Sequence, residues 1–248
     1  IGYANLQFPA TQSVCIGNNF TAYGRVYALG VTEAASANAI ITAQIGYNSS
    51  NTNPSTWPAG NWSAATYSVQ SGNNDEYQAT LGSSLTAGTY YYTFRFSRNG
   101  CAWVYGGYSS GGGGFWNGTT NVNGVLTVNA NNTIALTSAA GTNAQTRCIN
   151  TAITNITYAT TTATGATVSG LPTGVSGSWS SNVFTITGTP SVTGTFNYTV
   201  TMTGGCTGGT NTATGSITVQ DGSIGYANLQ FPATQSVCIG NNFTAYGR

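Results

Sequence analysis

The chain offers few side chains that could perform catalysis. Its 248 residues include no His and no Lys, so it lacks the commonest general base and the amine used for Schiff bases. The four acidic residues are Glu33, Asp75, Glu76 and Asp221. Only Asp75 and Glu76 are adjacent, and neighbours on a β-strand point to opposite faces. We therefore predict that the protein is not an enzyme, with no catalytic residues and no cofactor.

Cysteine is the other residue type with chemical potential. The five cysteines are Cys15, Cys101, Cys148, Cys206 and Cys238. They form no Cys-x-x-Cys spacing and have no His beside them, so we expect no metal site. Cys238 lies in a repeated stretch as the copy of Cys15, which leaves four cysteines in each period. An even set predicts two disulfides and an oxidising, extracellular location.

A Gly-rich segment carries interleaved aromatic residues and is the candidate contact or glycan surface. Its members are Trp103, Tyr105, Tyr108, Phe115 and Trp116. Three interpretations are open: local packing, contact with a neighbouring repeat or chain, and stacking on sugar rings. The segment lacks a phosphate-binding motif. A second cluster, Trp57 and Trp62, lies in a Pro-containing loop that we expect to fold over the end of a β-sandwich. The alternative is that this loop forms an edge for contact with a partner.

The charge content limits the partners of this chain. Charged residues are only 4% and the formal net charge is +1, so the chain has no basic surface for nucleic acid. A neutral polar surface repels its neighbours weakly and tolerates lateral association. The sequence contains no apolar run long enough to span a membrane.

The chain contains an exact internal repeat. Residues Ile1–Arg25 and Ile224–Arg248 are identical, which gives an offset of 224 − 1 = 223 residues. This period exceeds that of solenoid repeats, so each period should hold a pair of complete domains. We predict domains at 1–129 and 133–220, with 224–248 as the start of the next copy of the first domain. We expect a segment of a longer tandem array; the alternative is that 224–248 completes a domain of a neighbouring chain by strand addition.

Hydrophobic alternation predicts an all-β protein. In "TYYYTFRF", residues 89–96, every second residue is aromatic and lies on one face. In "TFNYTVTM", residues 195–202, every second residue is apolar, namely Phe196, Tyr198, Val200 and Met202. Many short strands separated by turn signals predict two immunoglobulin-like β-sandwich domains per repeat. The only candidate helix is short, at residues 32–39.

The division into domains also suggests which cysteines pair. We expect one disulfide inside each domain, Cys15 with Cys101 and Cys148 with Cys206. Cys238 would then pair with the next repeat's copy of Cys101.

The second half resembles a known type of bacterial domain. Within residues 170–205, "GLPTGV", "GTP" and the strand "TGTFNYTV" match the pattern of the immunoglobulin-like, cadherin-related domains of bacterial surface proteins. The second half has no Asp or Glu before Asp221, so it lacks the carboxylates of calcium-binding cadherin repeats.

The first half has a resemblance of its own. Residues 81–128 are similar to a β-sandwich module of large secreted Bacteroidota proteins. Together the two resemblances imply a secreted, multi-repeat surface protein of the adhesin or filament type.

These observations predict a structural component of an extracellular filament or a cell-surface adhesin stalk. The expected partners are further copies of the protein, joined covalently or head to tail, with no nucleic acid and no membrane span. The alternative is a carbohydrate-binding module that uses the segment from Trp103 to Trp116 on surface glycans.

Overall fold

A computed structural model describes residues 1–34 and 36–222 of the chain. The repeated stretch 224–248, predicted to begin the next domain, lies outside the described residues, as does Cys238. The chain divides into two compact units, one from Ile1 to Ala130 and the other beginning at Asn131.

The first unit is built from eleven strands and two short 3₁₀ helices. The strands are β1 (Tyr3–Phe8), β2 (Thr11–Cys15), β3 (Phe20–Tyr27), β4 (Ile41–Asn48), β5 (Trp62–Ala64), β6 (Thr66–Ser71), β7 (Asn74–Leu81), β8 (Gly88–Arg98), β9 (Val104–Gly107), β10 (Gly114–Phe115) and β11 (Gly124–Asn129). The helices are Pro54–Thr56 and Ala59–Asn61. The main hydrogen-bonded path runs β2-β11-β8-β9-β1-β3-β7-β6, and β4 joins it by pairing with β8 and β5.

Alternation along β8 builds the core of the first unit, as the sequence predicts. Tyr92, Phe94 and Phe96 are fully buried. Phe96 meets Tyr77 of β7 edge to face, with ring centroids 5.9 Å apart. A Cβ at Gly24 of β3 would lie 2.6 Å from the ring of Phe94, so only glycine fits beneath that ring. These contacts close the strands into a β-sandwich.

The second unit is a β-sandwich of two four-stranded sheets. Its strands are β12 (Thr133–Leu136), β13 (Ala144–Cys148), β14 (Ile156–Thr161), β15 (Gly165–Ser169), β16 (Val175–Ser180), β17 (Val183–Gly188), β18 (Gly194–Thr203) and β19 (Thr212–Gln220). One sheet has the order β12-β14-β17-β16 and the other β13-β19-β18-β15. Between them, the hydroxyls of the buried Tyr158 and Tyr198 lie 3.0 Å apart. The chain therefore has the immunoglobulin-like β-sandwich fold class expected from its strand pattern.

The predicted disulfide between Cys15 and Cys101 does not form. Cys101 is an exposed free thiol, whereas Cys15 is disulfide-bonded. Cys15 pairs in register with Asn129, next to the start of β8, whereas Cys101 follows the end of β8. Because β8 has 11 residues at about 3.3 Å each, the two cysteines are separated by roughly 30 Å. A disulfide needs Cα atoms within about 7 Å.

The predicted disulfide between Cys148 and Cys206 is excluded by the same kind of geometry. Both residues are disulfide-bonded, but they lie at opposite ends of the second unit. Cys148 pairs in register with Gln220 at the end of β19. Cys206 lies in the loop before β19, where its carbonyl accepts a hydrogen bond of 2.7 Å from the Asn132 amide. The 9 residues of β19 separate them by roughly 25 Å or more.

The helix predicted at residues 32–39 is also absent from the described part of that segment, which forms turns and bends. Its local hydrogen bonds are those of turns, such as the Thr32 amide donating to the Ala28 carbonyl at 3.1 Å.

Within residues 1–34 and 36–222, the structure contains no helix with the length and hydropathy of a membrane span.

Candidate functional site

The candidate surface is organised around Arg95 on the outer face of β8. Its neighbours Phe94 and Phe96 point into the core, so alternation directs Arg95 outward. Gln44 of β4 and Tyr105 of β9 lie opposite Arg95 in the two flanking ladders. Cross-strand register therefore gathers residues that are distant in sequence around one guanidinium group.

The Arg95 guanidinium is held between two indole rings. Its central carbon lies 4.1 Å from the ring centroid of Trp62 and 4.2 Å from that of Trp103. Its Nε and Nη2 atoms donate hydrogen bonds of 2.8 and 2.6 Å to Oε1 of Gln44. Burial lowers the pKa of Arg95, while a hydrogen bond with Tyr105 opposes that shift. The charge is thus satisfied by π faces and an amide oxygen rather than by a carboxylate.

The stack continues into the Pro-containing loop that precedes β5. Trp57 packs face to face on Trp62, with ring centroids 5.5 Å apart. The Trp57 indole N–H donates to the Thr52 hydroxyl at 3.2 Å. Beneath Trp62 lies Gly46 of β4, where a Cβ would overlap the indole ring. The loop therefore covers the outer face of the sheet, beside Arg95, rather than the end of the sandwich that we predicted from the sequence.

The Gly-rich loop is tied back to the first strand. The Tyr3 hydroxyl and the Asn5 side-chain amide both donate to the Gly112 carbonyl at 2.7 Å. The Asn117 carboxamide oxygen accepts backbone N–H bonds from residues 119, 120 and 121, each 3.0 Å long. These bonds give the loop a defined shape on the surface of the first unit.

The five predicted aromatic residues are placed in three different environments. Trp103 stacks on Arg95, and Tyr105 lies against Trp62 with centroids 5.8 Å apart and planes tilted by 57°. Tyr108 packs against the hydrophobic core. Phe115 is 41% exposed, and Trp116 is half-buried with its indole N–H unbonded. The segment is therefore mostly a packing element from which Phe115 projects into solvent.

The adjacent acids lie on opposite faces of β7, as the sequence predicts. Glu76 lies on the outer face, where it is buried under neighbouring side chains and forms an ion pair with Arg25 at 3.2 Å. Asp75 faces inward and is fully buried, and neither of its carboxylate oxygens has a hydrogen-bond partner. The described residues contain no group of three or more His, Cys, Asp or Glu side chains suited to a metal ion.

Sequence reasoning missed the central place of Arg95 in the stack. A signal was present, because a charged residue between two aromatic core residues must point outward from the strand. Which rings meet it depends on the register of β4, β5 and β9, and alternation does not specify register.

Comparisons with known proteins give structural likeness alone. No family model matches the chain, and no characterised protein matches its sequence. Among solved structures, a titin A168–A169 fragment is 13% identical, with 88% of this chain and 100% of that chain covered and a TM-score of 0.30. The fibronectin(III)-like modules of Clostridium thermocellum CbhA are 10% identical, with coverages of 94% and 100% and a TM-score of 0.31.

A fragment of the ICAM-5 ectodomain containing D1–D4 is also similar. It is 13% identical, with 88% of this chain and 53% of that chain covered and a TM-score of 0.34. The fold assignment of this protein rests on the strand pairing described above.

Proposed function

We propose that this chain is a segment of a tandem array of β-sandwich domains that serves as an extracellular filament or cell-surface stalk. The observation that carries the proposal is the exact return of Ile1–Arg25 at Ile224–Arg248. The last described strand of the second unit, β19, ends at Gln220. The second copy begins four residues later, at Ile224. Under this proposal, a new first domain starts directly after the last described strand of the second unit.

The repeated stretch encodes strands that need the rest of the domain. In the first copy it supplies β1, β2 and most of β3, with Ala4, Leu6 and Ala22 fully buried. These strands pair with β7, β9 and β11, which come from residues 74–129. We therefore expect the second copy to fold as the first does when strands equivalent to β7, β9 and β11 follow it in a longer chain or are supplied by another chain.

The surface chemistry supports a structural role. Five Arg and four acidic residues in 248 leave little long-range repulsion between neighbouring copies. The ion pair of Arg25 with Glu76 and the stack around Arg95 use two of these cations within the first unit. An array of such domains gains length without a charge penalty, and three disulfide-bonded cysteines fit an oxidising, extracellular location.

Electron microscopy of the native material tests the proposal. We expect a thin fibre whose axial repeat corresponds to two sandwich domains. Native protein found as a discrete particle of one or two domains would contradict a filament.

Size-exclusion chromatography with light scattering separates the two modes of linkage. A covalent array predicts that chains 1–248 and 1–222 are both monomers at all concentrations. Strand addition predicts that chain 1–248 forms concentration-dependent oligomers and that chain 1–222 does not.

A glycan array run on both chains, with Phe115→Ser as the matched variant, would reveal sugar binding by the Gly-rich segment.

A further inference from the structure

The most unusual polar group in the described chain is the carboxylate of Asp75. Asp75 lies opposite Val26 of β3 and Gln70 of β6 in the two flanking ladders. Val26 is fully buried, so this position faces the interior. Asp75 itself is 0% exposed, and both of its oxygens lack a hydrogen-bond partner. A buried carboxylate is costly unless a positive charge or hydrogen-bond donors compensate it.

The side chain opposite Asp75 adds a third unsatisfied oxygen. Gln70 donates from Nε2 to the Thr32 carbonyl at 2.7 Å and to the Gly72 carbonyl at 2.6 Å. Its Oε1 atom is buried without a partner. The two carbonyl bonds hold the amide in this orientation, because a flip would break both of them. Directly opposed residues such as Gln70 and Asp75 have Cβ atoms only about 5 Å apart. Gln70 nevertheless presents an acceptor oxygen to this region, because both of its N–H donors are used elsewhere.

A second negative charge is close to this pair. The Glu33 carboxylate accepts a hydrogen bond of 3.0 Å from the Gly30 amide and another from the Tyr27 hydroxyl. Burial and the charge of Glu33 together raise the pKa of Asp75 to about 6. Hydrogen-bond acceptors and negative charges thus converge in this region. The positive charge of Arg25 does not offset them, because Arg25 lies on the opposite face of the sheet, paired with Glu76.

We propose that Asp75 and Gln70 form a binding site for a hard divalent cation, with Ca²⁺ as the ligand. Asp75 supplies two oxygens and Gln70 supplies one, Glu33 adds negative charge, and water completes the shell. Ca²⁺ prefers carboxylate and amide oxygens and accepts irregular geometry. The ion satisfies three buried acceptors at once and ties β6 to β7.

Thermal unfolding and calorimetric titration of the full chain test this site. The protein is stripped with EDTA, dialysed at pH 7.5 and titrated with CaCl₂ to about 10 mM, above the 10⁻⁴–10⁻³ M dissociation constants typical of extracellular calcium modules. We expect a saturable rise in Tm. Asp75→Asn should abolish the rise and still fold, because an amide can donate to Oε1 of Gln70. Gln70→Ala should weaken binding at least tenfold.

Glu76→Gln is the matched control, since it removes the neighbouring acid from the other face and should leave the calcium response intact. The proposal is overturned if calcium does not change the Tm of the wild type, or if Asp75→Asn responds as the wild type does. It is also overturned if acidification to pH 5 in EDTA stabilises the wild type and calcium does not, since a proton would then satisfy these oxygens.

Discussion

Replacing Arg95 by Met tests whether the aromatic stack stabilises the first unit. Met keeps much of the aliphatic length of Arg and removes the guanidinium. The change therefore deletes two cation–π contacts, at 4.1 and 4.2 Å, and two hydrogen bonds to Gln44, at 2.8 and 2.6 Å. Arg98→Met is the matched control, because it lies on the same strand and its guanidinium makes a hydrogen bond of 3.4 Å with the Leu29 carbonyl.

The magnitude follows from these contacts. Each half-exposed cation–π contact contributes about 0.5–1 kcal/mol, and the charged hydrogen bonds to one amide oxygen add about 1.5 kcal/mol. Arg95→Met should lower the free energy of unfolding of the first unit by about 2.5–3.5 kcal/mol. Arg98→Met should lower it by no more than about 0.5 kcal/mol.

Urea unfolding followed by tryptophan fluorescence is the assay. Four of the five Trp residues, all except Trp179, belong to the first unit, so the signal mainly reports that unit. We expect a lower midpoint for Arg95→Met at an unchanged slope. Equal midpoints for the two Met variants would refute the reasoning, because the stack would then add nothing beyond an exposed arginine.

Three further predictions concern single groups. In metal-free buffer the wild type should lose about 2–2.5 kcal/mol of stability as pH rises from 4 to 7, because Asp75, with its pKa raised from 3.8 to about 6, binds a proton more tightly when folded. Asp75→Asn should flatten this profile in thermal melts, and an unchanged slope would contradict the assignment. Tyr198→Phe should destabilise the second unit by about 1–2 kcal/mol, because it leaves the buried Tyr158 hydroxyl without its partner at 3.0 Å. Chemical denaturation measures this loss, and an unchanged free energy of unfolding would show that the pair contributes nothing. Cys101 should react with maleimide in the native protein, since it is an exposed free thiol; peptide mapping identifies the modified residue, and protection of Cys101 would mean that it is bonded or covered in solution.

Alternation along strands made the fold predictable. The core positions of β8 and β18, including Phe94, Phe96 and Tyr198, follow from a period of two that needs no knowledge of the rest of the chain. The opposite faces of Asp75 and Glu76 follow from the same rule. These are local properties, and local sequence specifies them.

The cysteine pairing was not predictable in that way. Placing Cys15 and Cys101 in one domain says nothing about which end of the sandwich each one occupies. That depends on β2 running parallel to β11, with β8 antiparallel to β11. The stack around Arg95 failed to emerge for the same reason, since it depends on register across several strands. Non-local strand order, rather than local propensity, decides both features.

The parallel pairing of strands near the start and end of each unit has a mechanical consequence. In the first unit β2 lies beside β11 over five register pairs, and in the second β13 lies beside β19 over five. Tension applied to the two termini of a unit pulls such neighbouring strands in opposite directions along their length. The hydrogen bonds of a parallel ladder are then loaded together in shear rather than opened one after another. The strand order of each unit therefore opposes extension along the chain, which is the load that the proposed filament would carry.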